Sequence, residues 1–149
     1  MLLLTVAACR PPLADDLPRP VGVGRTDDGR LRFVVPLCPG ESLSSFLVQD
    51  QQSPRLLWKV SQPTGTEERA GVIVLGDARG FEKQDIPLQE PLPPILDVTA
   101  RLTDDFPIAN AFQLTDIPED FAGTDQVLGL SGRKSSEEDF RSKTEDDYC

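Results

Sequence analysis

The sequence predicts an all-β fold, an antiparallel two-sheet sandwich of seven to eight strands with a short C-terminal helix. Three observations predict it. Apolar and polar residues alternate over several segments between Val21 and Leu130, the period of a strand with one buried face. Turn residues such as Asp28-Gly29 separate those segments. No segment before residue 131 carries a helical repeat. With 149 residues and 38% hydrophobic content, the chain can bury one core but hardly two, so one domain is expected.

The first element is not part of that domain. Leu2 to Ala8 form a short apolar run ending in small residues, far below the roughly 20 residues that span a bilayer. The run fits the apolar region of a secretory signal with a small-residue cleavage site. Val6-Ala7-Ala8-Cys9 then resembles the lipobox of bacterial lipoproteins. The resemblance implies that residues 1–8 are a signal peptide, short or truncated, and that the Cys9 thiol takes a diacylglyceryl group before cleavage makes it the N-terminus. Two or three acyl chains on one residue suffice for stable anchoring. No Lys or Arg precedes the run, and its shortness suggests either a true start upstream or a truncated sequence. The competing reading makes Cys9 a buried thiol on an ordinary N-terminal strand.

Residues 9–20 are read as the lipidated cysteine and a stalk. Pro11, Pro12, Pro18 and Pro20 resist helix and favour extended geometry. At roughly 3.1 Å per residue the stalk holds the domain about 30 Å from the membrane.

Residues 21–130 are read as the sandwich, with strands near 20–26, 30–36, 43–50, 55–61, 71–76, 95–103 and 106–115 and an eighth at 126–130. Leu31, Phe33 and Val35 share one face. Leu56, Trp58 and Val60 are assigned to the core against Leu57, Lys59 and Ser61. Leu96, Val98, Ala100 and Leu102 form the clearest buried row, continued by Phe106, Ile108, Phe112 and Leu114 after a turn at Asp104-Asp105. Arg101 is expected to pair with Asp97 at the surface. The run IPLQEPLPP, with four prolines, is too poor in backbone donors for a ladder strand and is expected to carry the chain from one sheet to the other. A Trp58 strand in mid-chain resembles the core-tryptophan strand of immunoglobulin and fibronectin type III domains, although no cysteine pair flanks it. A small barrel would give much the same string of strands.

Residues 131–149 form a charged tail. Ser135 followed by Glu138 matches a capping box, and Phe140, Thr144 and Tyr148 fall on one helical face, so a docked helix is expected. The same density of charge equally suits a solvated end. If Cys9 carries lipid, Cys38 and Cys149 remain for a disulfide in an oxidising extracytoplasmic space.

Charge and composition exclude several functions. The net charge of −10 argues against a nucleic-acid partner and against electrostatic adsorption to anionic lipid. With no histidine in the chain, Ser-His and Cys-His nucleophile pairs cannot be assembled. GVGRTD lacks the third glycine of a dinucleotide fingerprint, and no cofactor is expected. Carboxylate chemistry remains: Asp116, Glu119, Asp120 and Asp125 in DIPEDFAGTD offer oxygen ligands for calcium or an acid–base pair, but without the twelve-residue EF-hand spacing.

The expected function is therefore a non-enzymatic, lipid-anchored envelope protein at the outer side of a cell membrane. Its domain would bind a protein, peptide or glycan partner. The alternative is a calcium-dependent or hydrolytic envelope module built on the 116–125 carboxylates.

Overall fold

The alternating segments pair as two antiparallel sheets. The computed structural model describes residues 18–149. In chain order the strands are β1 (Gly22–Arg25), β2 (Leu31–Val34), β3 (Leu43–Asp50), β4 (Leu56–Pro63), β5 (Val72–Val74), β6 (Phe81–Ile86), β7 (Ile95–Leu102), β8 (Pro107–Gln113), β9 (Gln126–Leu128) and β10 (Lys134–Ser136). A one-turn helix α1 (Thr66–Arg69) precedes β5, and α2 (Glu137–Tyr148) ends the chain. Sheet 1 has the order β10-β9-β1-β2-β5 and sheet 2 the order β6-β4-β3-β7-β8. All eight strands read from the sequence are present, together with β6 and β10. Each sheet holds five strands, where an immunoglobulin constant domain has four and three, so the likeness to that family stops at the two-sheet packing.

The inner faces meet in one apolar core. Its centre is a chain of aromatic contacts: Phe112 on Phe33 (6.0 Å between ring centroids), Phe33 on Phe46 (5.2 Å), Phe46 on Trp58 (6.4 Å) and Trp58 on Phe81 (6.5 Å). Phe33 comes from sheet 1 and the other four from sheet 2, so the row stitches the layers together. Trp58 also donates its Nε1–H to Gln84 Oε1 at 3.1 Å, which satisfies the one polar atom it takes inside.

The hairpins follow their turn chemistry. Gly29 takes φ +86° between β1 and β2, and Gly29 N–H donates to Thr26 O. Between β7 and β8, Asp105 itself adopts the left-handed conformation (φ 69°), while Asp104 Oδ1 accepts from Phe106 N–H. Aspartate is one of the few side chains that tolerates that region.

Four expectations need correction. In β4 it is Leu57 that is fully buried, whereas Leu56 is 44% exposed. The cause is a bulge: Val48 pairs with Trp58 and Gln49 with Leu56, leaving Leu57 as an extra residue that turns inward. Phe106 stands at the turn, one residue before β8, and is 53% exposed. Arg101 does pair at the surface, but with Asp105 (3.5 Å) rather than Asp97. The proline run does not change sheets. It joins β6 to β7, which lie in the same sheet with β4 and β3 between them. Gln89 N–H donates to Leu57 O and Arg55 Nη2 to Pro91 O on the way, so the run is fastened along the end of sheet 2.

Sheet 1 is covered on its outer side as well. Phe140 of α2 packs with Val34 and Val127 in a small separate cluster. The ring lies where a Cβ on Gly22 or Gly129 would stand, 2.8 Å and 3.1 Å from its atoms. Glycines in β1 and after β9 thus open the slot that seats the helix. The helix begins one residue later than the capping pattern places it: Ser136 accepts from Asp139 N–H at 3.1 Å.

Candidate functional site

Several chain segments converge on one corner of the molecule. The segment Pro36–Ser42 after β2 carries Cys38, the last residue of the chain is Cys149, and Pro18 and Arg19 lead into β1. Cys38 and Cys149 stand at disulfide distance, with Cα atoms 5.6 Å apart and a separation of 111 positions in sequence. β2 brings Cys38 to this end, and α2, running back along sheet 1, brings Cys149 to meet it.

Arg19 binds the incoming chain to the same corner. Its guanidinium makes two hydrogen bonds to Glu41, Nη1 to Oε1 at 3.0 Å and Nη2 to Oε2 at 2.6 Å, and Nη2 also reaches Pro36 O at 2.6 Å. The Arg19 side chain is only 8% exposed. Glu41 Oε2 accepts in addition from Cys38 N–H at 2.7 Å. The Arg19 hydrogen bond holds the Glu41 carboxyl below the usual range, an effect that burial opposes and the Cys38 amide reinforces. On the other side, Tyr148 O–H donates to Pro18 O at 3.1 Å. The corner is therefore a closed circuit from the incoming strand through Glu41 and Cys38 to Cys149, Tyr148 and back to Pro18. Arg19 and Glu41 carry no motif, and Arg19 reads as stalk; Tyr148 stands on the face of α2 that the sequence expects to dock, but nothing in the sequence names Pro18 as its partner.

Beside the corner runs a groove of about 660 Å³ between α2 and the segment after β9, lined by Pro20, Leu130, Phe140, Thr144 and Tyr148, with Arg133 at its rim. The helix along it is fixed at its start by Glu137, which bonds Arg32 Nη1 at 2.6 Å and Arg141 at 3.0 Å. Burial raises the Glu137 pKa, but Arg32 and then Arg141 outweigh it, and the carboxyl ends below its ordinary value.

Cys9 lies outside the described residues, as do the signal-like run and most of the stalk. The acidic segment is not drawn into a site. Asp116 ends a 3₁₀ turn (Leu114–Asp116), Glu119 and Asp120 belong to another (Glu119–Phe121), and Asp125 accepts Glu137 N–H at its backbone carbonyl. Among the described residues no three His, Cys, Asp or Glu side chains gather where they could hold one metal ion. The segment is secured instead by Ile117 and Phe121 in the core and by Arg25, which donates to Pro118 O at 3.0 Å and Ile117 O at 3.1 Å. Because β1 runs from the corner toward Arg25, this acidic stretch sits at the opposite end of sheet 1. The strongest carboxylate shift lies outside this stretch: Asp77, after β5, is lowered to about 2 by its hydrogen bond with Arg79.

No family model matches this chain, and no curated protein or solved structure shows significant similarity to it. No helix among the described residues is long and apolar enough to cross a membrane.

Proposed function

We propose that the protein is a lipid-anchored, extracytoplasmic envelope protein whose sandwich serves as a non-enzymatic binding or structural module for a protein, peptide or glycan partner. Cysteine use carries this reading. With Cys38 and Cys149 at bonding distance, Cys9 is the unmatched cysteine, and it directly follows the lipobox-like Val6-Ala7-Ala8. A disulfide between the other two suits an oxidising compartment outside the cytoplasm. The fixed corner at Pro18 and Arg19 supports the tether, because a pull on the anchor would be met by a partly buried ion pair rather than by a frayed strand.

Intact-mass analysis after expression in a bacterial host tests the reading. The wild-type protein should lose residues 1–8 and gain acyl mass, whereas Cys9→Ser should do neither. A full-length, unmodified chain recovered from the cytosol would refute it.

A further inference from the structure

Helix α2 is attached unevenly. Its first turn has what a helix start requires: the Ser136 cap, Glu137, Glu138 and Asp139 at the positive end of the dipole, and the Glu137–Arg32 ion pair to β2. Its last turn has the opposite. Glu145, Asp146 and Asp147 crowd the negative end of the dipole, and no basic residue lies in that turn. Only Phe140 and Thr144 are buried, and a twelve-residue helix is marginal on its own. The C-terminal end, where intrinsic stability is lowest, is where Cys149 is joined to Cys38.

We propose that the Cys38–Cys149 bond is a reducible clasp for α2, so that a dithiol reductant frees the helix and uncovers the outer face of sheet 1 while the sandwich stays folded. The inference rests on the bond being formed, which belongs to the reading above, and does not require the lipid. Two further observations carry it. The cluster under α2, Val34 with Val127 and Phe140, is separate from the main core, so lifting the helix leaves the inter-sheet packing intact. Cys149 is exposed and Cys38 partly so, which lets an external thiolate reach the bond.

In the exchange, one thiolate of the dithiol attacks Cys149 Sγ and forms a mixed disulfide, and Cys38 leaves as a thiolate that takes up a proton. The second thiol of the reductant then displaces Cys149 as a thiol. Two electrons and two protons pass to the cystine, and the reductant leaves as a disulfide. With the clasp open, Phe140 withdraws from Gly22 and Gly129, and Tyr148 lets go of the Pro18 carbonyl. The same step thus exposes Val34 and Val127 and loosens the point where the stalk meets the domain.

The test uses the full chain carrying Cys9→Ser, with the bond verified by mass, followed by backbone NMR before and after dithiothreitol. The α2 resonances, residues 137–148, should move to random-coil shifts on reduction, while β3, β4, β7 and the Trp58 indole keep theirs. Cys149→Ser without reductant should reproduce the reduced spectrum. A helix that keeps its shifts after reduction, a sandwich that collapses with it, or a bond that cannot be formed would each overturn the proposal. The last outcome is independent of Cys9 acylation, so the anchor and the clasp fail separately.

Discussion

Glu137 shows how one side chain ties a peripheral helix to a sheet. Its carboxylate bonds Arg32 on β2 and Arg141 one turn along α2, and the two guanidinium groups lower its pKa against the effect of burial. A carboxyl whose folded pKa lies below the unfolded value of 4.5 contributes stability that is complete above that value and is lost as pH falls through the folded one. The direction is therefore acid-labile. Glu137→Gln should lower unfolding free energy by about 1 kcal/mol at neutral pH, since a partly buried, charge-assisted pair is worth about that much. The difference from wild type should shrink as pH falls below 4.5 and vanish once it has passed through the folded pKa. Urea unfolding of both proteins across that range checks it, and a gap that stays constant with pH would rule out the ionised pair as the cause. If the clasp controls the helix, the same gap should also disappear in reduced protein at neutral pH.

At the scale of elements, β4 offers a sharp comparison because its two adjacent leucines have opposite environments. Leu57, fully buried, should cost about 2–4 kcal/mol on truncation to alanine, while Leu56, 44% exposed, should stay within about 0.5 kcal/mol. Equal costs, or the reverse order, would mean that β4 lacks the bulge. The pair also marks what the sequence makes legible. Alternation alone puts Leu56 with Trp58 and Val60, and it would be right for an unbroken ladder; one inserted residue reverses the assignment without leaving any trace in the pattern. Strand β6 is hidden for a different reason. Of its six residues, Phe81 is buried and Glu82, Lys83, Gln84 and Asp85 are exposed, so the segment reads as a polar loop. Charge on an edge strand discourages pairing with other chains, and it also erases the apolar signal. Where both edges are paired and one face is buried the sequence is most informative: β7, with Leu96, Val98, Ala100 and Leu102 inward, lies between two neighbours and matches its expected residues throughout.

For the whole molecule, the cysteine pair spans nearly the entire domain, and its partners could be named by counting once Cys9 was set aside. The groups around the pair could not, since Arg19, Glu41 and Tyr148 meet only through the closure of the fold. Closing a loop of this length removes up to about 4.7 kcal/mol of unfolded-state entropy, and observed values more often fall near 2–4 kcal/mol. A sandwich with one continuous apolar core does not depend on that contribution to fold. Reduction should therefore lower the urea midpoint by about 1–2 M, taking a denaturant slope of about 2 kcal/mol per molar for a domain of this size. Trp58, enclosed between Phe46 and Phe81 and in the other sheet from the one α2 covers, should keep its native emission below the transition. Fluorescence-monitored unfolding with and without dithiothreitol checks both statements. Red-shifted Trp58 emission in reduced protein without urea would mean that the bond holds the two sheets together. Native emission with an unchanged midpoint would mean that the cysteines, though close, are not joined in the purified protein.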